Sequence, residues 1–340
     1  MIPEAVYNGT RKGPQVNHIL SLSVGLSFAL AVMSPHASAD PLGHIPAGRT
    51  SITVPFVLSQ NHIVVSVLVN GKGPFLFLLD SGAERNVMDE ALVRALKLKT
   101  NGGGHIKGFG SQSVASLQTE NTTVQIGDAT LPKQKFITYD FSDWKKVFGA
   151  KFAGSLGGNV FNSFVIQVNY SRPQLTLTLP TGFTYHGSGV SLPLTFSAHH
   201  VPEIEGKIEG ITGKFKIDTG SGAALTLYAP FVEENGLRTK YASQSQTSTS
   251  YGAGGASKVK VVPSLLFQFG GIDTHIPVEM SLARSGIASE KDAAGSIGGW
   301  LLRSLIVTLD YSRKEIIFEP QTESDQPAPA TEPEKEKKVP

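Results

Sequence analysis

The 340-residue chain has no cysteine. Disulfides, thiolate nucleophiles and Cys-ligated zinc are excluded at once. It also lacks a concentrated block of either charge in its body, and the formal net charge is only +2. Phosphate recognition needs a concentrated Lys/Arg surface, so nucleic acid is not an expected partner. Two Gly-rich stretches, GGGHIKGFGSQS (residues 102–113) and SYGAGGASKV (residues 250–259), lack the Gly-Lys-Ser/Thr ending of a phosphate loop, which removes the usual support for nucleotide binding. A long apolar run is missing too. The stretch from Ile19 to Met33 has 15 residues, short of the roughly 20 that span a bilayer.

That short run is placed as an export signal would place it. Arg11 and Lys12 precede it, and Ala37-Ser38-Ala39 supplies a small-residue cleavage site. Residues 1–39 are therefore expected to be a removed signal peptide. The mature protein, with net charge about +1 by the same count, is expected to be periplasmic or secreted, without stable membrane insertion. At the other end, QTESDQPAPATEPEKEKKVP (residues 321–340) has almost nothing to bury and is expected to be disordered.

What the chain does have is 36 Gly, 20 Pro and many short runs of Val, Ile, Leu, Phe and Thr. That mixture reads as short strands joined by tight turns, an all-β chain with few helices. The length accommodates two domains with their own cores. The same text is also written twice. FLFLLDSGAERNVM followed by DEALVRALKLKT in the first half answers KFKIDTGSGAALTL followed by YAPFVEENGLRT in the second. Each copy sends an apolar strand into Asp-Ser/Thr-Gly, then a second apolar stretch, then a helix. Asp89 reads as a helix N-cap with Glu90 in the first turn, Pro230 as an early helical residue, and Gly236 as a stop. AGSLGGNVFNSFVIQVNYSR (residues 153–172) aligns without gaps to AGSIGGWLLRSLIVTLDYSR (residues 294–313). A tandem duplication follows, with units at 40–181 and 182–320 and a junction in TGFTYHGSG, where the strand pattern breaks.

One Asp-Ser/Thr-Gly triplet is an ordinary turn. Two in matched settings point to a pair of carboxylates at one site. In these elements each half resembles a retropepsin-like aspartic protease domain, and the whole resembles the two-lobed bacterial aspartyl proteases over roughly residues 50–320. The resemblance implies two β-barrel lobes related by a pseudo-twofold axis, each with one short helix, and a substrate cleft between them. It makes Asp80 and Asp218 the catalytic pair. Ser81 and Thr219 would tie the two loops together, and Gly82 and Gly220 would allow close backbone approach. Leu156-Gly157 and Ile297-Gly298 would brace the catalytic loops. The Gly-rich stretches would be flaps, with Phe109, Gly110, Tyr251 and Gly252 as substrate contacts. A peptide is then the expected substrate, and neither metal nor cofactor is needed, because two coupled carboxyls share one proton and activate water.

The residues after the triplets differ. Ala83 follows the first and Ser221 the second. A hydroxyl there could donate to its own Asp and favour the charged form, which makes Asp218 the expected ionised member and Asp80 the protonated one. Two alternatives stay open: a catalytically silent peptide-binding protein of the same fold, and a homodimer pairing lobes between chains in place of a monomer with an internal pseudo-dimer.

Other signals are weaker. Ser142/Lys145 and Ser257/Lys260 match Ser-x-x-Lys without the companion signatures of serine acylases. His199 and His200, read on a strand, face opposite ways and do not suit a shared metal. Asn121 and Asn169 head glycosylation sequons, the second on an expected core strand. His44 and Arg49 are candidate charge partners for the Asp pair if residues 40–55 act as a propeptide.

Overall fold

Each half contains the same local device ahead of its Asp triplet, a turn whose two central residues both take positive φ. In the first half Asn70 (50°) and Gly71 (72°) join the strands His62–Val69 and Lys72–Leu79. In the second, Glu209 (49°) and Gly210 (81°) join Pro202–Ile208 and Ile211–Asp218. Such turns match the twist of the strands they connect. The computed structural model describes residues 28–29, 43–110 and 112–321. The tail beyond residue 321 and, apart from Phe28–Ala29, the expected signal segment lie outside the described residues.

The second strand of each hairpin leads into an Asp triplet, and a short strand from the far end of the same half lies beside it. Phe152–Leu156 runs parallel to Lys72–Leu79, and Gly295–Gly298 parallel to Ile211–Asp218. The other edge of each short strand pairs antiparallel with the strand that follows the triplet, Asn86–Asp89 or Leu225–Leu227. Those strands pair parallel with Phe136–Tyr139 and Ile272–Ser281. The same order of pairing thus occurs twice, inside a ten-stranded sheet and an eight-stranded sheet.

A third sheet joins the halves. Its order is Val190–Pro193, Glu315–Pro320, Leu305–Asp310, Val165–Asn169, Gln174–Thr178, Ser51–Pro55, three strands from each half. At its centre Gln167 pairs with Thr308, and Gln167 Nε2 donates to Thr308 Oγ1 at 3.3 Å. These two residues are equivalent positions of the repeat, so the pseudo-twofold axis passes between them.

The apolar run before Asp80 serves two cores at once. Phe77 and Leu79 enter the main cluster, which continues through Ile166, Val307, Phe215 and Ile217. Leu78 faces the other way, into a cluster with Val64, Ala83, Val87, Phe141 and Phe152. A strand buried on both faces needs no polar alternation. In the second half Lys216 takes the place of Leu78. Its side chain is buried and paired with Glu290 at 3.2 Å and Asp292 at 3.3 Å.

The fold is all-β as expected, with more short helices than one per half. Glu90–Ala95, Ser142–Phe148 and Gly158–Ser163 lie in the first half; Ala229–Glu234, Leu237–Lys240 and Gly299–Leu302 lie in the second. Asp89 caps the first, accepting from Leu92 N at 3.3 Å. The added helices have four to seven residues, too few for a 3.6-residue period to show. Among the described residues no helix is long and apolar enough to cross a membrane.

Several minor motifs find structural roles. Lys145 pairs with the capping Asp89 at 2.5 Å. His199 and His200 sit in a turn, with His200 at φ 56°, and not on a strand. His44 bridges to Thr130 and Arg49 pairs with Asp128 at 2.8 Å, so this leader lies along an outer hairpin and not beside the Asp pair. Asn169 ends a strand of the shared sheet, and its Oδ1 accepts from Arg172 N at 3.0 Å.

Candidate active site

The two triplets meet at the junction of the halves and hold each other reciprocally. Ser81 N donates to Thr219 Oγ1 at 3.0 Å, and Thr219 N donates to Ser81 Oγ at 3.1 Å. Each hydroxyl then donates across the junction to the carbonyl two residues before the opposite hydroxyl residue. Ser81 Oγ reaches Ile217 O and Thr219 Oγ1 reaches Leu79 O, both at 2.7 Å. All four bonds are buried. Each hydroxyl thus both donates and accepts, using the capacity that Ser and Thr share.

This grip sets the carboxyls. Asp80 and Asp218 are 0% and 1% exposed. A Cβ on Gly82 would fall 2.4 Å from Asp218 Oδ1, so the first turn passes directly against the second carboxylate, and only glycine fits. Burial, and next the charge of Asp218, push the Asp80 carboxyl well above the ordinary carboxylate range; the Gly82 and Ala83 amides oppose this. Neither Asp80 oxygen makes a hydrogen bond of ordinary geometry. Ser221 Oγ accepts from Ala223 N at 3.4 Å, and Gly220 lies in the second turn between Thr219 and Ser221.

The apolar-Gly segments lie against these turns. Asp80 N donates to Leu156 O at 2.9 Å, and Gly158 N to Ala83 O at 2.8 Å. In the second half Ile297 pairs with Ile217 and Gly298 with Asp218, and Gly299 N donates to Ser221 O at 2.7 Å. A Cβ on Gly157 would stand 2.6 Å from Ala83 O, and one on Gly298 would stand 2.4 Å from Ala223 O. These neighbours are backbone and cannot rotate away. Gly298→Ala is therefore expected to destabilise the protein by about 1–3 kcal/mol or more, read as a lower midpoint in urea unfolding; an unchanged midpoint would show that the turn relaxes freely.

Two further hairpins, one from each half, approach one another. His105–Gly108 pairs with Ser113–Ala115, and Gln246–Gly252 with Gly255–Phe269. Their tips cross: Gly110 N donates to Ala253 O at 2.9 Å, and Gln112 N to Gly254 O at 3.2 Å. Phe109, expected to face substrate, is buried in the second half. Tyr251 is 44% exposed. With Gly252, Tyr139 and Trp144 it lines a cavity of about 460 Å³ beside the crossing.

Residues 65–160 match the aspartyl protease family. The fold is similar to that of the aspartic proteinase from Irpex lacteus, with a TM-score of 0.51 over 80% of this chain and 98% of that one, at 15% identity. The family match supports a likeness to aspartyl proteases for residues 65–160. No curated protein sequence matches the chain. The family match covers the first triplet and the first apolar-Gly segment, and the structural likeness shows the shared fold.

Some residues around the two triplets carry no signal in the triplets themselves. Asn86 is fully buried; its Oδ1 accepts from Gly157 N at 2.9 Å and its amide donates to Gln134 Oε1 at 3.2 Å. Asn61 clasps the halves, donating to Gly222 O at 2.9 Å and accepting from Arg303 at 2.8 Å. The matching turn of the second half, His199–His200, approaches Glu84; burial raises the Glu84 carboxyl, with Arg85, His199 and His200 opposing. Tyr311 is buried, stacked on Phe161 at 5.3 Å. Burial, then Asp80 and Asp218, push its phenol well up, whereas burial alone raises its repeat partner Tyr170. Positive φ at Asn61 (66°) is the nearest thing to a sequence signal here, since Asn tolerates it best. Among the described residues no group of three or more His, Asp or Glu gathers to hold a metal ion.

Proposed function

We propose that this chain is an aspartic-type endopeptidase in which Asp80 and Asp218 together activate the water that attacks a peptide carbonyl. The reciprocal Ser81/Thr219 grip carries this reading, because it presses Gly82 of one turn against the carboxylate of the other. Two buried carboxyls this close cannot both ionise cheaply, so they share one proton and titrate as a pair. The upward push on Asp80 makes it the natural holder of that proton.

The chemistry then balances with water and peptide alone. Asp218 takes a proton from water as the water oxygen bonds to the carbonyl carbon, and the Asp80 proton passes to the carbonyl oxygen. Asp218 then returns its proton to the leaving nitrogen as the C–N bond breaks, and Asp80 recovers its own from the collapsing intermediate. The peptide would lie extended between the Asp pair and the two hairpins, using their backbone edges as an added strand does.

The test is a mixed peptide library incubated with the full chain from acidic to neutral pH, with products read by mass spectrometry. Internal cleavage blocked by a statine-type inhibitor is expected. Because the Asp80 carboxyl is raised, the singly protonated pair should persist above the ordinary carboxylate range, so the fall in rate on the alkaline side is displaced upward. No cleavage at any pH, alongside tight peptide binding, would replace this reading with a silent peptide-binding protein.

A further inference from the structure

One hairpin of the first half reaches across the junction and takes hold of the Asp218 turn. Val57–Ser59 and His62–Val69 pair antiparallel with Ser59 opposite His62, which leaves Gln60 and Asn61 as the tip. Both take positive φ, 49° and 66°, a conformation that asparagine tolerates better than most residues. The tip lies against two glycines of the second half. A Cβ on Gly222, which follows Ser221 in the Asp218 turn, would stand 2.6 Å from Gln60 O and 2.8 Å from His62 Cε1. One on Gly299 would stand 1.9 Å from Asn61 O. Asn61 Nδ2 completes the hold by donating to Gly222 O at 2.9 Å. Gly299 N donates to Ser221 O, so the tip touches both the turn and the segment that braces it.

The first half fixes the His62 ring on its other sides. The ring is fully buried and stands edge-on to Phe148, with centroids 5.5 Å apart and an interplanar angle of 83°. Its Nδ1 lies 3.2 Å from Ser59 O. A carbonyl only accepts, so this bond places the proton on Nδ1 and sets the orientation of the ring. Phe148 is held in turn, stacked on Trp144 at 6.1 Å and on Phe152 at 5.0 Å. The ring that meets Gly222 therefore rests on a rigid aromatic support. The Asp80 turn is held differently. Its residue at the Gly222 position is Glu84, and the second-half tip that approaches it is longer, residues 197–201 between the paired Phe196 and Pro202.

We propose that His62 is a positioning residue for Asp218: from the opposite half its ring fixes the turn that carries the carboxyl, and so keeps Asp218 in place against Gly82. The proposal rests on the endopeptidase reading above for what the Asp pair does. The Ser81/Thr219 grip holds the start of each turn, at the residue after the Asp. His62 and Asn61 hold the far end of the second turn, at Gly222. Between the two holds the loop is closed by Ser221 N donating to Asp218 O at 3.1 Å, so a shift at Gly222 is passed on to Asp218. Truncating the ring removes the lateral support of Gly222 and lets the Asp218 carboxyl drift from its partner. Chemistry that needs two groups in register loses rate steeply with such drift. His62 is fully buried and does not face substrate, so the loss falls on kcat and not on KM.

Full-length His62→Ala is expected to cleave peptide with kcat lower by on the order of 10–100-fold and KM within about twofold of wild type. His62→Phe keeps a flat ring against Phe148 and Gly222 and is expected to recover most of kcat. His62→Asn keeps a donor for Ser59 O without the ring and is not. Val69→Ala, a core truncation at the far end of the same strand, should lower the urea midpoint and leave kcat unchanged. A readout without turnover is the carboxyl titration of aspartate-labelled protein followed by NMR. The Asp218 charge helps to hold the Asp80 carboxyl up, so separating the pair should move the Asp80 midpoint downward in His62→Ala and not in Val69→Ala. Lower stability of His62→Ala with kcat and the Asp80 midpoint unchanged would overturn the proposal and leave His62 a core residue only. Should His62→Ala fail to fold, the Phe and Asn variants decide alone: equal kcat and equal Asp80 midpoints in the two would overturn it. A shifted Asp80 midpoint in a protein that cleaves no peptide would sink the endopeptidase reading and not the role of His62.

Discussion

Asp80→Asn and Asp218→Asn are each expected to lower kcat/KM for peptide cleavage by on the order of 10³–10⁴-fold, with the fold retained. Each substitution keeps the size of the side chain and removes its ability to carry or release the shared proton. The two losses should not add, because the carboxyls act as one unit. Stability moves the other way in Asp80→Asn. The folded-state carboxyl is raised above its unfolded value of 3.8, so between those two pH values the folded state binds more protons than the unfolded one. Stability is then greatest below the unfolded value and declines as pH rises through the folded one. Asp80→Asn abolishes that decline. Thermal melts of both proteins from acidic to neutral pH check it; parallel curves would contradict the buried, raised carboxyl. Near-normal cleavage by either Asn variant would remove the pair from the chemistry.

Thr219→Val is expected to destabilise the protein by about 2–6 kcal/mol, since two buried backbone groups lose their partners at about 1–3 kcal/mol each. The orphaned groups are Ser81 N–H and Leu79 C=O. Ser81→Ala should act similarly through Thr219 N–H and Ile217 C=O. Because Ser81 Oγ and Thr219 Oγ1 belong to one closed ring of bonds, the double variant should depart from the sum of the two losses. Urea midpoints of the wild type, both single variants and the double variant give the coupling. Strict additivity would show that the four bonds are independent and that the turns are positioned by the strands alone. Activity should fall in either single variant, because the ring that holds Gly82 against Asp218 is opened on one side.

The parts of this protein that were legible in its sequence are those written in local chemistry. FLFLLD and KFKID followed by Ser/Thr-Gly announce a strand and a turn, and the repeat announces that there are two. Asp89 announces a helix start because a cap needs only its own neighbours, and the structure has it accepting from Leu92 N. What was not legible depends on residues far apart in the chain. Nothing around Gly110 says that it will meet Ala253, and nothing around Phe109 says that its ring will be buried among Tyr228, Val259 and Ile287. The six-stranded sheet escaped for the same reason, since Val165–Asn169 carries no mark of its partner Leu305–Asp310. The strand expected through His199 and His200 does not form, because a positive φ at His200 makes a turn there. The helices that begin directly after Gly157 and Gly298 have six and four residues, too few for a period to develop.

The sheet shared by the halves also bears on how the chain is made. Synthesis delivers the first half with Val165–Asn169 paired on one side by Gln174–Thr178 and open on the other, because its second partner, Leu305–Asp310, is among the last strands to appear. Until then the nascent protein presents an apolar edge ready to accept a strand from any chain nearby. The strand that would fit it best belongs to another copy of the same sequence. Fusing two repeats into one polypeptide keeps the correct partner tethered, and in a crowded cell that tether, more than any single contact, decides which two halves are joined.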